Sequence, residues 1–336
     1  MSPFDDAVRQ AEAGQDLAEA QAGELIDAML RGEVDDETIR RCLLALRAKG
    51  ETVDELVGAA RAMRHHMTRI PHSHPLLLDT CGTGGSGSGT FNISTAVAIV
   101  VASAGVPVAK HGNRKATSHS GSADVLETLG VRIESDPQGV ADRLERDGIC
   151  FCFAAKLHPA MRHVIGVRRQ LGVPTLFNLL GPLCNPAGAT HQLLGTPRPE
   201  VQALIAAAVP RLGVTRTMVV RADDGQDEVS LDGVTHVADV TADGRQDRQW
   251  TASDFGLPPV GVAALAASDP RHSAAIITRL LAGEPGPCRD AVLAGTAAAL
   301  MLAGKAESLT QGVSIAARRI DDGAARETLE TLRRDS

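Results

Sequence analysis

A chain of 336 residues, 43% hydrophobic and 22% charged, is long enough to bury a large core and to divide into two domains. Its net charge of −7 argues against a nucleic-acid footprint spread over the surface, and aromatics at 2%, with no Tyr and Trp250 as the one Trp, leave few platforms for stacking bases. No stretch has the length and apolarity of a membrane span, and MSPFDDAVRQAEAGQ lacks the basic start and apolar core of a secretory signal, so a cytoplasmic protein with its six cysteines reduced is expected.

From about residue 16 to 68 the pattern is helical. LAEAQAGELIDAMLRG repeats apolar residues at i, i+3 and i+4, with Gly32 as its stop. Asp35 or Asp36 is placed to cap DETIRRCLLALRAKG, which ends at Gly50. Thr52 followed by Glu55 is a capping box for TVDELVGAARAMRHHM. These segments predict a small all-helical domain over residues 1–73, with HSHP at 72–75 as a linker.

Beyond the linker, residues 74–336 read as a large α/β domain with a mostly parallel central sheet. LLLDTC, VPVAKHG, GICFCFAA, GVPTLFNLL and TRTMVVRAD are the strand candidates; STAVAIVVASAG and SGSADVLETLG are helices between them. Cys150 and Cys152 alternate onto one face of a buried strand as small hydrophobes. In such sheets ligands sit at the carboxyl ends of the strands, where the unusual loops of this chain fall.

Three of those loops carry chemistry. GTGGSGSGTFNIST, residues 82–95, has five glycines within its first eight positions and opens a helix. Bare backbone N–H groups at a helix N-terminus make an anion cradle, to which Asn92, Ser94 and Thr95 add side-chain donors. The loop is neither a Walker A motif, since no GK[ST] follows, nor the dinucleotide GxGxxG. KHGNRKATSHSGS, residues 110–122, supplies Lys110, Arg114 and Lys115 as cations and Asn113, Thr117, Ser118, Ser120 and Ser122 as neutral donors. Two such loops after neighbouring strands suit a ligand with more than one phosphate. DDGQDEVSL, residues 223–231, has the opposite sign; Asp227 and Glu228 beside a polyphosphate read as Mg²⁺ ligands, because Mg²⁺ takes one or two carboxylates plus phosphate oxygens. In HPAMRHVIGVRRQLG the arginines either grip a carboxylate or lie on a solvated helix face. His72 and His74, in the linker, are weaker metal candidates, whereas His65 and His66 close a helix and answer its dipole.

Taken together, GTGGSGSGTFNIST, KHGNRKATSHSGSADVLE, FNLLGPLCNPA and DEVSL resemble anthranilate phosphoribosyltransferases, and the likeness extends to ALRAKGETVDELVGAARAMR, DFGL and IDDGAARETLETL. The resemblance implies a nucleoside-phosphorylase-like fold in which helices from about 168–190 complete the small domain. It implies transfer of phosphoribose from 5-phosphoribosyl pyrophosphate (PRPP) to the amino group of anthranilate, with Mg²⁺ as cofactor, in a homodimer joined through the helical domain, without nucleic-acid or membrane partners. By motif, Gly82, Gly85, Ser86, Thr90, Asn92, Ile93, Ser94 and Thr95 would line the substrate site. So would Lys110, His111, Gly112, Asn113, Arg114, Lys115, Ala116, Thr117, Ser118 and Ser122. Ser94, Asp227 and Glu228 would hold Mg²⁺; Asn113 and Arg168 would meet anthranilate; Lys110 and Arg168 would be the catalytic pair. The chain departs from the family pattern at Ser86, where Asp is usual, and at Lys115, where a small residue is usual; both changes make the pocket more cationic. A phosphoribosyltransferase or phosphorylase with another nucleophile, a nucleic-acid-binding relative and a phosphometabolite sensor are the rival expectations.

Overall fold

The computed structural model describes residues 3–114, 120–133 and 136–334. Four helices come first: α1 (Pro3–Glu12), α2 (Glu19–Arg31), α3 (Asp36–Lys49) and α4 (Val53–His65). α1 was not expected from the sequence. Of the other three, α2 stops at the anticipated Gly32, α3 lies between the anticipated Asp35 and Gly50, and α4 starts after the anticipated Thr52. Gly32 closes α2 in the left-handed region at φ 76°, and the Asp35 carboxylate accepts from the N–H groups of Glu37 and Thr38. Thr52 and Glu55 form the reciprocal capping box of α4.

The α/β region then alternates β1 (Leu78–Gly82), α5 (Ile93–Ser103), β2 (Val108–Gly112), α6 (Ser122–Thr128), α7 (Pro137–Asp147) and β3 (Ile149–Phe153). Short helices α8 (Ala154–Leu157), α9 (Ile165–Leu171) and α10 (Leu176–Leu180) lead to β4 (His191–Gly195), α11 (Pro199–Ala208) and β5 (Arg216–Ala222). A hairpin of β6 (Thr235–Thr241) and β7 (Gly244–Trp250) precedes α12 (Ala252–Phe255), α13 (Pro270–Leu281), α14 (Pro287–Leu302), α15 (Leu309–Asp321) and α16 (Ala324–Arg333). The seven-stranded sheet runs β3-β2-β1-β4-β5-β6-β7; the first five strands are parallel and β6 and β7 antiparallel.

GVPTLFNLL corrects one expectation. Its Leu176–Leu180 stretch forms α10 and not a strand, with Asn178 Oδ1 accepting from Thr175 N at 2.9 Å over the first turn. All of Leu176, Phe177, Leu179 and Leu180 are buried, so the run carries no periodicity that separates helix from strand. β4, β6 and β7 were not expected either. β7 is exposed at every position from Gly244 to Gln249, so no apolar alternation marks it.

Both faces of the sheet are covered except along β7, and successive strand residues part company. Leu193, Met218 and Val220 pack with α5, α14, α15 and α16. Leu194 and Val219 pack on the opposite face with α2, α3, α4 and with Val164, Val167, Leu176, Phe177, Leu180 and Leu183. The helical N-terminal region therefore shares its core with the segment around α9 and α10.

Candidate functional site

The β1–β2 ladder is registered at Leu78 and Val108, whereas β1 stays paired with β4 from Leu78 to Gly82. The gap that opens towards the carboxyl ends of β1 and β2 is filled by side chains. Buried Asp79 accepts from His111 N at 3.1 Å and from Asn185 Nδ2 at 2.8 Å. Lys110 is 4% exposed, and its Nζ donates to Thr80 O at 2.6 Å and Ser94 Oγ at 3.2 Å. Burial lowers the Lys110 pKa while the Asp79 charge opposes that shift. Lys110 is thus held by the strand before the Gly-rich loop and by the helix after it.

Asp227 and Glu228 reach the same place from the turn after β5. Asp227 Oδ2 accepts from Gly84 N at 3.1 Å, and Glu228 Oε1 accepts from Ser94 N, at the start of α5, at 3.2 Å. The approach is close enough to demand glycines. A Cβ on Gly82 would lie 2.7 Å from Asp227 Oδ2, and one on Gly195 would lie 1.7 Å from the Asp227 carbonyl oxygen. Gly195, at the end of β4, was not singled out from the sequence; nothing in the pattern distinguishes it among 33 glycines. Burial and the adjacent Asp227 charge push the Glu228 carboxyl up to about 8, against the opposing charge of Lys110. Two carboxylates and the Ser94 hydroxyl are hard oxygen donors, and two carboxylates leave room for substrate oxygens, so the set fits Mg²⁺. Among the described residues no group of three or more His, Cys, Asp or Glu side chains could hold a metal.

The remaining loop residues divide. Gly84, Gly85, Gly87 and Gly89 all take positive φ, so the loop follows a path closed to other residues. Ser86, Ser88 and Thr90 form a chain of hydroxyls, with Oγ–Oγ 3.1 Å and Oγ–Oγ1 3.3 Å. Ile93 opens α5 and is buried; Thr95 is buried with its hydroxyl unpaired and lines a small cavity together with Lys110 and Phe151. Gly112 is close to Ser122 Oγ, which donates to Asn113 O at 3.4 Å. Asn113 is exposed at the mouth and its Oδ1 accepts from Arg114 N at 2.8 Å. Arg114 turns to Asp124 and Glu127 and lies over the Phe153 ring at 5.5 Å. Lys115, Ala116, Thr117 and Ser118 lie outside the described residues.

His111 is spoken for on both ring nitrogens. Its Nδ1–H donates to Gly181 O at 3.0 Å, and its Nε2 meets His158 Nε2 at 3.2 Å. Burial, with His158 beside it, depresses the His111 pKa to about 3, and burial depresses that of His158 to about 4. His158 was not anticipated as a partner. Arg168 belongs to α9; its NH2 donates to Asn178 Oδ1 at 3.5 Å and its guanidinium lies over the Phe177 ring at 5.4 Å. Burial lowers its pKa, so the arginine is not on an open solvated face. His72 binds Ala187 O at 2.8 Å and His74 meets Leu144 O at 3.2 Å, which occupies both linker histidines.

The comparisons agree with this architecture. Residues 6–67 match the helical bundle domain of a glycosyl transferase family, and residues 74–326 match that family's a/b domain. The anthranilate phosphoribosyltransferase of Rhodopirellula baltica is 64% identical over 329 residues, covering 98% of this chain and 96% of that protein. The crystal structure of anthranilate phosphoribosyltransferase from Thermus thermophilus superposes with a TM-score of 0.91 at 44% identity, covering 98% of this chain and 99% of that one. The Saccharomyces cerevisiae enzyme solved in complex with PRPP and Mg gives a TM-score of 0.90 at 27% identity, covering 98% and 96% of the two chains. That yeast enzyme has also been solved in complex with 4-fluoroanthranilate, with a TM-score of 0.89, 26% identity and the same coverages. Helical bundle, α/β domain and near-full-length likeness converge, and the chain belongs to the anthranilate phosphoribosyltransferase family of glycosyl transferases.

Proposed function

We infer that the chain transfers the phosphoribosyl group of PRPP to the amino group of anthranilate, releasing pyrophosphate, in tryptophan biosynthesis. The observation that carries this reading is the meeting of the Gly-rich loop, Lys110 and the Asp227–Glu228 pair at the carboxyl ends of β1, β2 and β5. Backbone N–H groups of residues 82–95, with the Thr90, Asn92 and Ser94 side chains, would cradle the pyrophosphate and 5-phosphate oxygens. Lys110 would set a fixed cation beside them. Asp227, Glu228 and Ser94 would hold Mg²⁺, whose bound charge would stabilise the leaving pyrophosphate.

The demanding event is cleavage of the C1–O bond of PRPP, in which the ribose becomes oxocarbenium-like and the leaving group gathers negative charge. Catalysis of this kind is positional and electrostatic. Arg168 would take the anthranilate carboxylate in its guanidinium fork, with Asn113 beside it, and so aim the amine at C1. The aryl amine is already neutral near pH 7 and needs no base to attack. His111 is not available as one, since its ring nitrogens bond to Gly181 and His158.

The reading carries an organisation with it: a small domain of residues 1–73 completed by about 168–190, and a large domain of residues 74–336. We place the protein in the cytoplasm; no helix among the described residues is long and apolar enough to cross a membrane. A homodimer through the helical region is supported by Leu44 and Val173, large apolar side chains left 41% and 37% exposed. Arg40 and Arg47 flank Leu44 by about one helical turn and bond to Gln170 and Pro174 O, which bracket Val173.

Incubating the protein with PRPP, Mg²⁺ and anthranilate should release pyrophosphate in step with loss of anthranilate. Pyrophosphate release that ignores anthranilate and follows another amine or base would reassign the acceptor, and none with any acceptor would reject the transferase reading.

A further inference from the structure

The Gly-rich loop is held by a part of the chain more than 170 residues away in sequence, which no motif singled out. Phe91 N donates to Leu265 O at 2.8 Å, Ala267 N donates to Gly89 O at 2.9 Å, and Thr90 and Ala266 form an antiparallel bridge. The strap continues into the first turn of α13, where Ser273 is fully buried. Its hydroxyl meets Asn92 twice: Asn92 N donates to Ser273 Oγ at 3.0 Å, and Ser273 Oγ donates to Asn92 Oδ1 at 2.9 Å. On its other side, Asn92 Nδ2 donates to the carbonyl of Ser120, at the end of the second loop, at 3.3 Å.

These contacts leave the Asn92 amide one orientation. A carbonyl only accepts, so the amide nitrogen must face Ser120. The Ser273 hydroxyl already accepts from the Asn92 backbone and has one proton to give, which goes to Oδ1. A flipped amide would set oxygen against oxygen at Ser120 and turn an acceptor towards the crevice between the two loops. In the observed orientation one Nδ2 hydrogen is used by Ser120 and the second remains for an anion.

We propose that Ser273 is a positioning residue for PRPP: it fixes the Asn92 amide with its nitrogen towards the phosphates and ties the first loop to the second. The proposal rests on the reading of Asn92 as a PRPP donor. It assigns Ser273 no contact with substrate. Its effect passes through Asn92 and falls on PRPP, not on anthranilate, whose carboxylate is assigned to Arg168.

A double-mutant cycle on the full chain, read as the separate KM values for PRPP and anthranilate, tests it. Ser273→Ala should raise the KM for PRPP about tenfold, as expected for losing the partner of a buried hydrogen bond. Ser273→Cys, close in size with a weak donor, should fall between Ser273→Ala and the natural protein. In an Asn92→Ala background, Ser273→Ala should add less than about twofold, because the group it positions is gone. Equal rises in both KM values, or the same factor in both backgrounds, would overturn the proposal by giving Ser273 a general structural role. If Asn92→Ala alone leaves the KM for PRPP unchanged, the reading of Asn92 falls and takes the proposal with it, a result distinct from failure at Ser273.

Discussion

The two halves of the proposed site are held in different ways. On the phosphate side each functional group is braced from at least one other element: Asp227 on Gly84, Glu228 on Ser94, Lys110 on Thr80 and Ser94, Asn92 on Ser273 and Ser120. On the acceptor side Arg168 has a 3.5 Å contact to Asn178 and the face of Phe177. The difference matches the two ligands. A polyanion is best met by dipoles and charges already in place, because reorganising them during reaction is what raises the barrier. A small aromatic carboxylate needs one planar fork, whose rigidity is internal to the guanidinium.

Breaking the phosphate side at its acids should cost most. Asp227→Asn combined with Glu228→Gln is expected to lower kcat by at least about 10²-fold, the scale of losing preorganised charge stabilisation, with circular dichroism unchanged. Near-normal turnover in the folded double variant would remove both residues from the metal assignment.

The acceptor side should respond selectively. Arg168→Lys keeps the charge and loses the fork, so the KM for anthranilate should rise about tenfold while that for PRPP stays within about twofold. A parallel rise in both would show that the two halves are not separable at this residue.

The His111–His158 pair sharpens the contrast through stability. Both folded pKa values, about 3 and about 4, lie below the ordinary histidine value of about 6.5, so at intermediate pH the unfolded chain binds more protons than the folded one. Stability is therefore fully present above about pH 6.5 and is lost as the pH falls towards 4, by up to about 1.4 kcal/mol per pH unit for each ring. Denaturant melts of His158→Gln should show a shallower acid limb than the natural chain. Identical limbs would mean that the pair does not titrate as its burial dictates.

The smallest expected effect lies at Ser86, whose hydroxyl joins those of Ser88 and Thr90 at the loop surface. Ser86→Asp restores the family's usual carboxylate and should raise the Mg²⁺ needed for half-maximal rate about threefold, in keeping with one partly exposed charge. A Mg²⁺ titration of rate, paired with calorimetry of Mg²⁺–PRPP binding, checks it; superimposable curves for the two proteins would end the idea.

Much of this molecule is legible locally. Gly32, Asp35, Thr52 and Glu55 end or begin helices through bonds that span at most five residues, so the chain order alone discloses them. The Gly-rich loop and the Asp227–Glu228 turn are legible for the same reason, since backbone freedom and clustered charge are properties of short segments. Where nearly every side chain is buried the pattern goes silent: four of the five residues of Leu176–Leu180 are apolar and buried, so no alternation marks the helix. Where burial is absent it goes silent too, as in β7. Which groups stand together is set by tertiary contacts alone. Gly195 is required because the Asp227 backbone crosses it, His111 is neutral because it is buried with His158 beside it, and Asn92 has one orientation because the Ser120 carbonyl and Ser273 meet it from two sides. Residue type and spacing disclose the class of chemistry, through donors and acids clustered in short segments. The fold decided how that chemistry is aimed, because close approach and hydrogen-bond direction depend on atoms brought together from distant parts of the chain.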